Sequence, residues 1–341
     1  MKFVLNKAII YLVICLLISF NFISANRNSQ NLKVKTTAGE HVDILVASYN
    51  VGEQNPPTSV HSWLSSSKYS SKPDIYIIGL QEIVVLDIAN IVLTSSKSKK
   101  QYDKWLAKLS QEVGPDYKLY RGDFLVGIAH YMFIKKSLEP KITKSREKNI
   151  KMGGIGPIEL GNKGVISFGF KINSVSFSIN VAHLAAHEKN ASDRIKQLEE
   201  TCESKYSIIE KKKIKEQDIV IITGDLNFRI NNPATETKTI IERNEHLSLL
   251  PKDQLKIAFS DANSPASVKD LTEGEIRFKP TYKYDPKSTT TYDNGPKNRS
   301  PSWCDRVLFK KSSKISVLDY DRVEMTGSDH VPVRAILRVG V

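Results

Sequence analysis

Apolar and polar positions along the chain fall into two rhythms. Continuous apolar runs at 42–51, 74–80 and 218–223 read as strands. Each stops at polar residues: Ser48-Tyr49-Asn50, Gln81-Glu82 and Gly224-Asp225-Leu226-Asn227. Val175, Phe177, Ile179 and Val181 alternate with Ser176, Ser178 and Asn180, which predicts a half-buried strand in a hairpin with 165–172. Residues 117–135 read as two strands around a turn, and 306–310, 315–321 and 331–339 close the chain as strands. Helical spacing of Tyr102, Trp105, Leu106 and Leu109 predicts a helix over 101–112. A second helix spans 192–209 behind the start signals Ser192 and Asp193, with weaker ones at 234–250 and 252–259 and a Pro/Gly-rich loop at 294–302. Strands interleaved with helices point to a mixed α/β domain. Polar residues gather where the strands stop or start: Asn50, Glu82, His183, Asp225, Asn227, Asp305, Asp329 and His330. Loops at the rim of a sheet are where sites are built.

The first residues follow neither rhythm. Lys2 and Lys7 precede an apolar run from Ala8 to Phe20, too short for a helix that needs about 20 residues to span a bilayer. Residues 1–25 therefore read as a secretory signal, with an uncleaved anchor over 8–23 as the alternative. Residues 26–41 form a polar lead-in and 42–341 the domain. That places the protein in the secretory pathway, secreted or luminal, with the cytoplasmic membrane face as the alternative. The 341 residues carry 50 Lys and Arg against 37 Asp and Glu, a net charge of +13. Such an excess favours anionic partners, including a membrane surface, and no protein partner is evident in the sequence. Cys15, Cys202 and Cys304 are too few for a disulfide scaffold, although a Cys202–Cys304 bridge is open.

Several chemistries drop out. There is no CxxC pair and no HExxH; His183 and His187 have the spacing, but no Glu stands between them. The stretch from Gly156 to Lys163 misplaces the lysine of a phosphate loop, and Lys310 stands where a cysteine phosphatase needs Arg. What remains is a set of hard oxygen donors with two imidazoles, suited to Mg²⁺ more than to zinc. Phosphate ester hydrolysis uses these parts: a metal, a carboxylate that takes a proton from water, and cationic groups for the developing charge.

At this point the chain resembles the inositol polyphosphate 5-phosphatases, a branch of the group that includes deoxyribonuclease I. The matching segments are Ser48-Tyr49-Asn50-Val51, Leu80-Gln81-Glu82-Ile83, Gly161-Asn162-Lys163-Gly164, His183-Leu184-Ala185-Ala186-His187, Gly224-Asp225-Leu226-Asn227-Phe228-Arg229, Pro280-Thr281-Tyr282-Lys283, Trp303-Cys304-Asp305-Arg306 and Ser328-Asp329-His330. The resemblance implies an α/β (α+β) fold, a four-layer deoxyribonuclease I-like β-sandwich flanked by helices, with the site at one end. It implies Glu82 as Mg²⁺ ligand with Asn50 nearby. Asp225 would activate water, Asn227 place the phosphate, and His183 and His330 polarise it. Asp305 is expected behind a histidine, His183 first, and Asp329 near the metal or the other histidine. Tyr282, Lys283, Lys297 and Arg299 match positions that grip the neighbouring 4-phosphate, while Asn162 and Lys163 match a head-group loop. Arg229 and Arg306 read either as site residues or as buried ion pairs, and His187 as site support or core.

The implied activity is Mg²⁺-dependent removal of the 5-phosphate from phosphatidylinositol 4,5-bisphosphate, phosphatidylinositol 3,4,5-trisphosphate or soluble inositol polyphosphates. A secreted nuclease or a sphingomyelinase-like esterase is the alternative; the motifs argue against nucleic acid. Asn298-Arg299-Ser300 is a glycosylation triplet inside the substrate loop, so a sugar there is expected to block the site.

Overall fold

The computed structural model describes residues 39–84, 91–155, 158–207 and 211–341, without the side chains of 91–95, 153–155 and 158–162. The signal segment 1–25, the lead-in up to residue 38 and the Asn162 side chain lie outside the described residues. Glu40–Val341 form one compact unit. Among the described residues no helix is long and apolar enough to cross a membrane.

The strands are β1 (His41–Asn50), β2 (Ile75–Gln81), β3 (Tyr117–Leu125), β4 (Ile128–Lys135), β5 (Ile142–Ile155), β6 (Ile158–Ile172), β7 (Val175–His183), β8 (Ile219–Asp225), β9 (Leu271–Glu273), β10 (Asp305–Lys310), β11 (Ile315–Arg322) and β12 (Val333–Gly340). The helices are α1 (Ile91–Val113), α2 (Ala191–Glu203), α3 (Ala234–Glu242), α4 (Gln254–Ser260) and α5 (Ala266–Lys269). Two six-stranded sheets result, ordered β11-β12-β1-β2-β4-β3 and β5-β6-β7-β8-β10-β9. Each holds one parallel pair among antiparallel neighbours, β1 with β2 and β7 with β8.

Alternating side chains build the layers. Ile44 and Val46 of β1 point inward to meet Phe170, Phe177 and Ile179 of the facing sheet. Leu45 and Ala47 point outward into a second cluster with Trp63 and Trp105. On the far face Val220 and Ile222 of β8 pack against Leu198 and Cys202 of α2. Helix, sheet, sheet, helix is the four-layer arrangement that the sequence resemblance implies.

Several elements differ from the sequence pattern. β7 is buried on both faces rather than one. Its polar face is dried out because Ser178 bonds Tyr206 at 2.6 Å and Asn180 accepts from Ser167 at 2.6 Å. β5, rich in Lys and polar residues, carries no apolar rhythm and is an unforeseen edge strand. The helix expected over 192–209 stops at Glu203. The one over 234–250 breaks after Glu242, where Asn244 takes a left-handed φ of 60°, and resumes as a 3₁₀ segment at His246–Lys252. Cys202 and Cys304 are both buried and free, so the bridge left open by the sequence is absent.

Candidate active site

Strand register brings the polar ends together. Asn50 pairs with Gln81 at the ends of β1 and β2, His183 with Asp225 at the ends of β7 and β8, and Asp305 with Asp225 where β10 begins. Gly224 makes the β7–β8 approach: it has φ +147°, and a Cβ there would lie 1.8 Å from the Ala182 carbonyl oxygen. Asn50 Nδ2 donates across the sandwich to Asp225 Oδ2 at 3.0 Å. The site is thus assembled from both sheets.

Asp225 is the hub. It is buried, and its Oδ1 accepts the Asn227 amide at 3.0 Å. Its Oδ2 lies 3.3 Å from His183 Nε2 and 3.8 Å from His330 Nε2. Burial would push this carboxyl up, but His330, His183 and Lys163 hold it well below the usual carboxylate range.

The two histidines differ in charge. His330 Nδ1 donates to Asp305 Oδ2 at 2.8 Å. Burial opposes its charge, yet Asp305 and Asp225 raise it to about 10, so the ring keeps its proton at neutral pH. Burial pushes the Asp305 carboxyl up, with His330 opposing, and the Thr281 hydroxyl donates to its Oδ2 at 2.7 Å. His183 is lowered by burial and by Lys163, whose Nζ contacts its Nε2. The sequence expectation that Asp305 stands behind His183 is corrected: it stands behind His330, because Asp305 opens β10 and faces the segment that enters β12. Asp329 closes on Lys283 at 2.8 Å.

Asn227 is occupied by its neighbours. Its Nδ2 donates to Leu184 O at 3.2 Å, and its Oδ1 accepts from Arg229. Arg229 is buried, has no carboxylate partner among the described residues, and lies 4.2 Å over the Tyr282 ring, which in turn lies 4.6 Å from the His330 ring. Arg229, Lys297 and Arg299 line a cavity of about 240 Å³. Asn298, exposed in that loop, accepts from Lys238 at 3.3 Å. Of the two alternatives for each arginine, Arg229 faces the site, whereas Arg306 is an internal ion pair with Asp253 and Glu273. His187 is exposed, which excludes the core alternative; it lies within electrostatic reach of Arg299, Arg229 and Lys163.

The residues present fit a hard cation. Glu82, His183 and Asp225 place ligand atoms within 4.8 Å of one another. The Glu82 side chain is 44% exposed and, among the described residues, has only His183 within ion-pair reach, at 3.8 Å. An oxygen-rich set with one half-exposed carboxylate suits an ion that retains waters.

Two residues escaped sequence reasoning. Thr281 fixes Asp305, and Ser328 Oγ donates to Asn50 O at 2.7 Å while accepting the His330 amide at 3.2 Å. Both lie inside the matching motifs, which is the one signal that marks them.

A two-sheet sandwich with an acid–imidazole cluster at the strand ends defines a phosphoesterase-type class. The model of the endonuclease/exonuclease/phosphatase family 2 matches residues 47–336, and the chain belongs to that family. Among its curated relatives are inositol polyphosphate 5-phosphatases. A probable inositol polyphosphate 5-phosphatase of Schizosaccharomyces pombe is 31% identical over 337 residues, covering 87% of this chain and 28% of the relative. The mouse type II inositol 1,4,5-trisphosphate 5-phosphatase is 31% identical over 306 residues, covering 87% of this chain and 30% of the relative. The chain thus spans under a third of the length of these two relatives. A synaptojanin 5-phosphatase domain solved with inositol (1,4)-bisphosphate and a calcium ion superposes with TM-score 0.72 at 28% identity, over 92% of this chain and 89% of that one.

Proposed function

We propose that the chain is a Mg²⁺-dependent phosphatase that removes the 5-phosphate from phosphatidylinositol 4,5-bisphosphate, phosphatidylinositol 3,4,5-trisphosphate or soluble inositol polyphosphates. The observation that carries this is buried Asp225, whose Oδ2 lies 3.3 Å from His183 Nε2 and 3.8 Å from His330 Nε2, with Asp305 behind His330 at 2.8 Å. The names of the relatives, and the inositol bisphosphate in the synaptojanin domain, support the substrate class.

Asp225 takes a proton from the attacking water as the new P–O bond forms and the inositol–phosphate ester bond breaks. The inositol oxygen leaves and takes a proton from solvent to become a hydroxyl, and the proton collected by Asp225 passes to solvent. His330, kept protonated by Asp305, donates to a phosphoryl oxygen and offsets the charge developing there. Asn227 keeps Asp225 and Arg229 in register. Glu82, with Asn50 beside it, would hold Mg²⁺, which supplies positive charge against the phosphoryl oxygens. Arg229, Lys297 and Arg299 offer the neighbouring phosphate one point charge and two planar forks. Tyr282 lies under Arg229, Lys283 pairs with Asp329, and Lys163 contacts His183. The charge of +13 supports docking on an anionic membrane surface. The apolar run at 8–20 supports entry into the secretory pathway, which N-terminal sequencing of secreted protein would test.

The test is phosphate release by the full chain with Mg²⁺ on phosphatidylinositol 4,5-bisphosphate, its 4-phosphate product, soluble inositol trisphosphate and DNA. Release from the first and third alone supports the assignment. Cleavage of DNA alone overturns the substrate and leaves the chemistry.

A further inference from the structure

Arg194 of α2 is fully buried, yet no carboxylate pairs with it among the described residues. Four neutral oxygens take its protons instead. Nη1 donates to Ala185 O at 2.9 Å and His187 O at 2.7 Å; Nη2 donates to Glu188 O at 3.3 Å and Gln254 Oε1 at 2.6 Å. Nε is buried with no hydrogen-bond partner among the described residues. The guanidinium also lies 5.4 Å over the ring of Phe228. A buried cation without a counter-charge is costly. A methionine would fill comparable space, so core packing alone gives no reason for the charge.

Its contacts indicate what it does. Ala185, His187 and Glu188 form the loop that leaves His183. Phe228 and Arg229 belong to the segment that leaves Asp225. Gln254 joins the two: its Oε1 accepts from both Arg194 and the Arg229 amide, at 3.0 Å, while its Nε2 donates to Glu188 O at 3.2 Å and Asn231 Oδ1 at 2.9 Å. We infer that Arg194 is a positioning residue that, through Gln254, clamps the loop after β7 to the segment after β8 and so fixes His183 and Arg229 relative to Asp225. The link to rate rests on the phosphatase reading; the clamp itself does not.

The experiment compares Arg194→Met, Arg194→Lys, Arg194→Ala and Gln254→Leu with the wild-type full chain. Hydrolysis of soluble inositol trisphosphate is measured with Mg²⁺, and amide hydrogen exchange is followed over 184–190 and 226–231. A displacement of about 1 Å at reacting groups costs ~100-fold in rate, so kcat is expected to fall by that order in Arg194→Met with KM little changed. Exchange should rise in both segments together. Arg194→Lys should recover part of the rate, and added guanidinium ion should restore Arg194→Ala in part. Unchanged kcat, a rise in KM alone, or faster exchange confined to 184–190 would overturn the clamp. Should Arg194→Met fail to fold, Gln254→Leu decides, because it cuts the link without removing the cation. Should the wild type hydrolyse no inositol phosphate, the phosphatase reading fails, and coupled exchange still decides the clamp.

Discussion

Asp305 and Arg306 are neighbours on β10, and the pleat sends them to opposite faces of the same sheet. Both are buried and both anchor clusters of charge. On the outer face Arg306 Nη1 meets both oxygens of Asp253 at 3.1 Å, its Nε meets Glu273 Oε2 at 2.8 Å, and Lys256 meets Glu273 Oε1 at 2.8 Å. Two cations face two carboxylates, and the Arg306 side chain is 0% exposed. On the inner face Asp305 Oδ1 is buried with no partner among the described residues, and Glu82 opens to solvent. The closed cluster holds α4 to the sheet. The open one leaves hydrogen-bonding capacity for a ligand. Burial of charge is therefore not by itself the mark of a site; incompletely partnered charge at an opening is.

The largest separation of the two should come from Asp225→Asn. Loss of the proton acceptor is expected to cut phosphate release by ~10⁴-fold, the upper end for acid–base catalysis, with circular dichroism and melting close to wild type. A chelator should likewise abolish release, and added Mg²⁺ should restore it without moving the urea midpoint by more than a small amount. If release persists in either case, the open cluster is not the reaction centre.

Arg306→Met should do the reverse. Stranding Asp253 and Glu273 is expected to cost about 3–5 kcal/mol in urea unfolding. The rate per folded molecule should fall far less than in Asp225→Asn. A stable but inactive Arg306→Met would erase the contrast.

Titration sharpens it further. His330 is raised from 6.5 to about 10, so its stabilising contribution is present in full below pH 6.5 and is lost as pH climbs toward about 10. The difference in unfolding free energy between wild type and His330→Gln should therefore shrink between about pH 6 and about pH 10. Activity should decline on the alkaline side as the ring loses its proton. A pH-independent difference would show that Asp305 does not support a charged ring.

The smallest effect belongs to the rim. Removing one charged hydrogen bond in Lys297→Gln should raise KM about tenfold for a substrate bearing the 4-phosphate and leave kcat alone. Asn298 should be free of sugar in active protein; full occupancy found by mass spectrometry on active enzyme would remove this loop from substrate binding.

Much of this arrangement is legible in the chain before folding. Apolar runs that stop at Asn50, Glu82 and Asp225 mark strand ends, and strand ends of parallel neighbours must lie side by side. What the pattern cannot supply is the partner across a gap. Asp305 belongs to His330 because of β8–β10 register and the Thr281 hydroxyl, and neither leaves a trace in spacing. Arg229 and Arg306 look alike in sequence; only the faces they occupy tell ligand-facing from internal. β5 hides because its edge position spares it an apolar face, and β7 misleads because its serines and asparagine satisfy one another under α2.

The hydrogen bond from Asn50 to Asp225 joins the last residue of β1 in one sheet to the last residue of β8 in the other. The spacing of the two sheets is set far away, by Phe170, Phe177 and their partners in the central core. This bond therefore acts as a strain gauge for the whole sandwich. A methylene removed or added between the sheets should register as a changed hydrolysis rate before it registers as a changed melting temperature, which makes turnover the more sensitive readout of how the interior is packed.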